Sequence, residues 1–247
     1  MNAAFDLVPG RGDLLVVVDH ASNHVPADID LGLSPELLER HIGWDIGAEA
    51  VGRELCQRFG CPGLFGTVSR LVIDLHREED SPALIPETSD GHLVPGNRNL
   101  SPAEREARIA RFWRPYHEAL ASIVEENRPA LVAAVHSFTP KLETFDGPTR
   151  PWEVGILYNQ DDRAARIAID ELRRRGLTTG DNEPYSGKLL NATMNMHAEA
   201  NGTPYLAIEV RNDLIADQVG VIRWANILES LLLHCRNKLA RTAGLLP

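Results

Sequence analysis

The 247-residue sequence is poor in cysteine, has no excess of positive charge and contains no long apolar run. Its three cysteines, Cys56, Cys61 and Cys235, form neither a C-x-x-C pair nor an even set, which excludes a zinc-thiolate motif and a disulfide framework. Cys56 and Cys61 are close enough in sequence to pair, but a reduced chain is the simpler expectation. Lysine and arginine total 25 against 35 for aspartate and glutamate, a formal charge of −10. Such a chain lacks the dense basic footprint that a nucleic-acid backbone needs, although a local basic pocket is still allowed. The longest apolar runs, Leu14–Val18 and Ala130–Val135, fall far short of the roughly 18–20 residues that cross a bilayer. The opening MNAAFDLVPGRGD has no basic start, no apolar stretch and no cleavage site. The expectation is a cytoplasmic chain with no membrane and no nucleic-acid partner. Internal repeats and low-complexity tracts are also missing.

What is present is average globular composition, 43% apolar and 24% charged, and a length that suits a single domain over residues 1–247. Apolar runs alternate with amphipathic stretches. Leu14–Asp19, a stretch within Leu64–Asp74, Leu131–His136, Glu153–Tyr158 and Tyr205–Val210 read as short buried strands. Trp44–Phe59 has helical spacing and a stop at Gly60, and Asp161–Arg175 is closed by Gly176. Ser101-Pro102-Ala103-Glu104 is a helix start, predicting a helix towards Asn127 with a break near Pro115, and Asp217–Arg241 reads as a long final helix. The alternation predicts an α/β fold, a mostly parallel mixed sheet with helices on both faces. The loops between Glu78 and Leu100 and between Pro140 and Trp152 are rich in Pro, Gly and Asp. Loops beyond the carboxyl ends of strands are where such folds build sites.

Several of these strands end in ionisable residues: Asp19-His20, His136-Ser137, and Glu209 with Arg211 just after it. Two imidazoles and a carboxylate converging on one sheet edge match the needs of a zinc ion that keeps one open position. A further carboxylate nearby can act as general base on a water. Each residue also has an ordinary role: a polar strand end for His20 and His136, an ion pair with Arg211 or another arginine for Glu209. For the third ligand, Asn23 stands where an H-x-x-E site would place its carboxylate, but it brings no charge. Asp45, near the start of the first core helix, is the stronger candidate, with helix capping as its alternative role. Arg70, interrupting an apolar stretch, and Arg77 suggest a small substrate bearing carboxylates. Arg98 reads as a solvated surface side chain.

VVVDHASNHVP, HIGWDIGAEAVGREL, SRLVIDLHR, VAAVHSFTP and LAIEVRNDL occur in the chain in that order. This series resembles the N-formylglutamate amidohydrolase family over about Leu14 to Leu239. The resemblance implies a three-layer phosphorylase/hydrolase-like fold shared with zinc carboxypeptidases and aspartoacylases, and one zinc ion per chain. It implies hydrolysis of an N-acyl amino acid such as N-formylglutamate. The chain is also similar, more distantly, to zinc-dependent N-acetylmuramoyl-alanine amidases, whose pattern falls on His20, Asp45, His136 and Glu209. On these resemblances His20, Asp45 and His136 hold the metal and Glu209 is the general base. Arg70 and Arg77 are expected to clamp substrate carboxylates, Arg211 to orient Glu209 or join that clamp, and Asn23 to contact the substrate. Where members nearest to N-formylglutamate deformylases carry proline-histidine-serine-glycine, this chain has Asp19-His20-Ala21-Ser22-Asn23. That departure leaves open an amidase for a larger acyl-peptide or cell-wall fragment, and a non-catalytic carboxylate-binding protein.

Overall fold

The structure, a computed structural model, describes residues 4–244. Along the chain come β1 (Phe5–Val8), β2 (Leu14–Val18), α1 (Pro35–Leu38), α2 (Ala48–Phe59), β3 (Gly63–Gly66), and a small hairpin of β4 (Thr88–Ser89) and β5 (His92–Leu93). There follow α3 (Pro102–Arg108), a π-helical turn (Ile109–Trp113), α4 (Arg114–Asn127), β6 (Leu131–Phe138) and β7 (Val154–Leu157). The chain continues through α5 (Arg163–Arg174), β8 (Thr179–Asp181), α6 (Ala192–His197), β9 (Tyr205–Arg211) and α7 (Gln218–Thr242). Seven strands form one sheet in the order β1-β3-β2-β6-β9-β7-β8. The central strands β3, β2, β6 and β9 are parallel, while β1 and β7 run antiparallel to their neighbours β3 and β9. The fold is therefore mixed α/β. Among the described residues no helix is long and apolar enough to cross a membrane.

The continuous apolar runs form strands because both faces of the sheet are covered. In β2, Leu14, Val16 and Val18 enter one core with Val51, Leu55, Trp224 and Leu228, while Leu15 and Val17 enter the other with Phe112, Tyr116 and Leu120. Burying one such side chain contributes roughly 1.5–3 kcal/mol. Helix α2 buries Ala48, Val51, Leu55 and Cys56, the one-sided spacing expected of a helix lying on a sheet. Gly60 ends it at φ 58°, the left-handed conformation a glycine adopts without a Cβ clash. Ser101 and Glu104 form a reciprocal capping box at α3. The break expected near Pro115 is the π-helical turn Ile109–Trp113, just before it in a run that stays helical from Pro102 to Asn127; the wider turn accommodates a proline with no N–H to donate.

The second strand read from Leu64–Asp74 is only Gly63–Gly66, and residues 67–80 are turns. Apolar Val68, Leu71, Val72, Ile73 and Leu75 are buried in that segment without being a strand. Its backbone bonds go to loops instead: Ser69 N to His24 O, Arg70 N to Gly43 O and Asp74 N to Leu84 O. Arg108 and Asn97 brace it further by donating to Val72 O and Leu71 O.

Beneath this segment, His117 Nε2 lies 3.0 Å from Leu75 O and Nδ1 2.8 Å from His197 Nε2. Burial, and then the neighbouring His197, press His117 from 6.5 down to about 3. Through that window the unfolded chain binds a proton that the folded chain refuses, so stability is lost as pH falls below about 6.5. The slope is about 1.4 kcal/mol per pH unit for one proton. The difference in melting temperature between wild type and His117→Gln therefore narrows on acidification from about pH 6.5 to about pH 4. A difference that stays constant with pH would contradict the linkage.

Candidate active site

The chain leaves β2 for β3 on one side of the sheet and later places β6 on its other side. At such a switch point the carboxyl ends of neighbouring strands open a crevice. His20 follows β2, His136 sits late in β6, and Glu209 is its register partner in β9. All three line a cavity of about 430 Å³ together with Asp45, Arg70, His76, Arg77, Tyr185 and the two Pro- and Gly-rich loops. The hairpin turn Asp90-Gly91 has positive φ at both residues, as a tight two-residue hairpin requires. Asp90 then accepts bonds from Glu143 N, Thr144 N and Thr144 Oγ1 and pairs with His41. This ties the hairpin to the 139–150 loop beside the cavity.

His20, Asp45 and His136 come together, with one ligand atom of each within 4.8 Å of the others. Asp45 Oδ2 is 3.3 Å from His20 Nδ1 and 3.0 Å from His136 Nδ1. It also accepts Ser137 N, while Oδ1 accepts Arg70 Nη1. Asp45 does not cap α2: the cap position is Gly47, at φ 81° and without a side-chain bond. A Cβ at Gly47 would lie 2.2 Å from Ile215 O, so glycine permits the close turn that brings Asp45 back to the strand ends. Asp45 N donates to His20 O at 3.0 Å.

The ring nitrogens facing away from this set have carboxylates of their own. His20 Nε2 is 2.6 Å from Asp74 Oδ1, and His136 Nε2 is 3.3 Å from Asp19 Oδ2. Carboxylates behind histidine ligands fix the tautomer and ring orientation in metal sites. Burial would raise Asp19 and Asp74, but His76 and His136 around the first, and His20 and Arg70 around the second, hold both well below the usual carboxylate range. Burial depresses both site imidazoles. At His20, Asp74 and Asp45 outweigh burial and Arg70; at His136, Asp19, Asp45 and Glu209 outweigh burial, and both end raised. Glu209 is different. Burial pushes it up to about 7, with His136 and Arg70 pulling down and Asp45 adding to the rise.

The donor set fits a divalent cation. Zinc–ligand distances of about 2.0–2.2 Å in a tetrahedron place ligand atoms roughly 3.3–3.5 Å apart, close to the 3.0 and 3.3 Å found at Asp45 Oδ2. Asp19 Oδ2, His136 Nε2 and Glu209 Oε2 are solvent-inaccessible and make no hydrogen bond of good geometry. Two buried carboxylates and an imidazole in that condition are costly unless something compensates them.

The other residues singled out in the sequence are placed as follows. Arg70 and Arg77 line the cavity. Arg70 is committed to Asp45 and Asp74, whereas Arg77 Nε lies 3.7 Å from Asp74 Oδ2 and has no hydrogen-bond partner. Arg211 is not brought to the cavity: it binds Asp213 and Trp152 O, and so is not the ion-pair partner of Glu209. Asn23 stands apart from His20, on a separate hollow with Trp44, Glu49 and Arg53. Asp74, His76, Asp19 and Tyr185 were not singled out as site residues. Asp74 and His76 sit in SRLVIDLHR, where two more ionisable groups in an apolar stretch were the available signal.

Residues 12–216 match the sequence profile of the N-formylglutamate amidohydrolase family. Over 98% of its length the chain is similar to a crystal structure of a gene product from Agrobacterium tumefaciens, of which it covers 97%, at 33% identity and a TM-score of 0.90. It is also similar to the N-formylglutamate amidohydrolase from Ralstonia eutropha JMP134, with 98% of this chain and 100% of that one covered, at 25% identity and a TM-score of 0.73. No curated protein sequence matches. With its profile match reaching from before β2 to the start of the last helix, the chain belongs to the N-formylglutamate amidohydrolase family, hydrolases acting on amide bonds.

Proposed function

We propose that the chain hydrolyses the amide bond of an N-acyl amino acid, N-formylglutamate being the parent case, at a site holding one zinc or similar divalent ion. The observation that carries this reading is the convergence of His20, Asp45 and His136 beside the buried carboxyl of Glu209, whose Oε2 has no hydrogen-bond partner. When bound, the ion supplies Lewis acidity, polarising the acyl carbonyl and bringing the pKa of a water towards neutrality. Glu209 Oε2 takes the proton of the attacking water and passes it to the departing nitrogen. One C–O bond forms, the C–N bond breaks, and the products are a carboxylate (formate, for the formyl group) and a free amine. Asp74 and Asp19 keep the ligand imidazoles in one tautomer throughout.

Arg77 meets a substrate carboxylate, since its guanidinium is the less committed of the two in the cavity. Arg77→Met raises KM for an N-formyl amino acid about tenfold or more, the worth of a lost charge-assisted bond, with kcat changed less. An unchanged KM places the carboxylate elsewhere. Assaying formyl-amino acids against short acyl-peptides tests the substrate size, and a preference for the peptides sinks the small-substrate reading.

The layers of helix, sheet and helix support placing the fold in the phosphorylase/hydrolase-like class of zinc carboxypeptidases, with 1–247 as one domain. A cytoplasmic location belongs to the same reading and is supported by three free, buried cysteines.

A further inference from the structure

His76 has no part in the chemistry above, yet it lines the same cavity as His20, His136 and Glu209. Its Nδ1 is 3.0 Å from Asp19 Oδ2 and 3.0 Å from Thr193 Oγ1. Asp19 is fully buried, and its other oxygen accepts the hydroxyls of Tyr116 and Thr193, each at 2.9 Å. Thr193 gives its one hydroxyl hydrogen to Asp19 Oδ1, so towards His76 it can only accept. Nδ1 therefore carries the hydrogen, and Nε2 of the neutral ring is left with its lone pair. The tautomer follows from these partners.

His76 stands beside the three-residue set and not within it. Its ring centroid is 4.7 Å from that of His136 and 6.0 Å from that of His20. It belongs to a second group of side chains close enough to share a cation, Asp19, His76 and His136, and not to the group of His20 and Asp45. A scissile secondary amide offers one acceptor, the carbonyl oxygen, and one donor, the N–H. Near the set, Asp45 is committed to Arg70, His20 and His136, and His20 Nε2 is committed to Asp74. Glu209 is engaged with the water proton. Among the imidazoles and carboxylates around the set, the acceptor left for the N–H is His76 Nε2.

We propose that His76 is a catalytic residue of this hydrolysis, accepting the N–H of the scissile amide at Nε2; the inference rests on the amidohydrolase reading above. With the hydrogen held there, the nitrogen turns its lone pair away as the acyl carbon becomes tetrahedral and is set to receive the proton carried by Glu209. The chain then favours amides that carry an N–H over tertiary amides and esters.

The test compares wild type, His76→Asn and His76→Gln on an N-formyl amino acid and on the formate ester of the matching hydroxy acid, which has no N–H. The asparagine amide overlays the Nδ1 side of the ring and keeps a donor for Asp19 while deleting Nε2. The glutamine Oε1 reaches the Nε2 position. Expected is a fall in kcat/KM on the amide of about tenfold or more in His76→Asn, with the ester changed by less than about twofold and partial recovery on the amide in His76→Gln. Metal content by elemental analysis is expected to be the same in all three. Equal losses on amide and ester would make His76 a merely structural support, and loss of bound metal would make it a ligand; either overturns the proposal. A wild type that cleaves the amide leaves the amidohydrolase reading standing in both cases, whereas one that cleaves neither substrate overturns that reading and this one with it.

Discussion

Glu209→Gln lowers kcat for an N-formyl amino acid by about 10²–10⁴-fold, the usual worth of a positioned general base, while metal content and melting temperature stay close to wild type. The carboxyl is buried at the end of a central strand, opposite His136 in the parallel register, and its Oε2 meets no protein donor. Glutamine has the same shape and cannot take a proton. Fold stability is expected to survive, because burial already pushes the carboxyl up to about 7, so a neutral side chain suits this environment nearly as well. Steady-state kinetics with elemental analysis on the same preparation decide the matter. Full activity with metal retained would remove Glu209 from the mechanism.

His136→Ala abolishes metal binding and, separately, destabilises the apo-protein by about 3–5 kcal/mol, as expected when one partner of a buried charge cluster is deleted. Its ring stands between two buried carboxylates, 3.0 Å from Asp45 Oδ2 and 3.3 Å from Asp19 Oδ2. Without it, both buried carboxylates lose a compensating imidazole. Elemental analysis is expected to give about one zinc per wild-type chain and none in the variant. Wild type stripped by a chelator separates the two effects: it loses the metal and the activity but keeps the imidazole, so it unfolds at higher denaturant than His136→Ala. Equal unfolding midpoints would show that the cluster contributes nothing beyond the metal. A wild type without metal would remove the cation from the proposed chemistry.

Much of the site was legible before any coordinates because its parts interrupt local patterns. His20 and His136 end β-branched or apolar runs, and Glu209 is a carboxylate inside one. Such residues stand out against the burial that surrounds them. Asp45 was a candidate from its place near the start of the helix, with capping as its alternative role; the cap position is Gly47, and the turn there brings Asp45 back to the strand ends. Asn23 was a candidate by spacing from His20, but its side chain belongs to another hollow.

By itself the sequence determined the alternation of strands and helices, the caps at Ser101 and Gly60, and the strand ends that carry His20, His136 and Glu209. These depend on period and on neighbours a few residues away, which a linear pattern records. Only the tertiary structure decided that residues 67–80 are turns, that β1 and β8 add to the sheet edges, and that Asp74 backs His20 while Asp19 serves both His136 and His76. Those pairings join segments dozens of residues apart, and no local periodicity encodes which buried carboxylate will meet which imidazole. The choice is made by strand order, because the crossing from β2 to β6 brings those chain segments to one edge of the sheet.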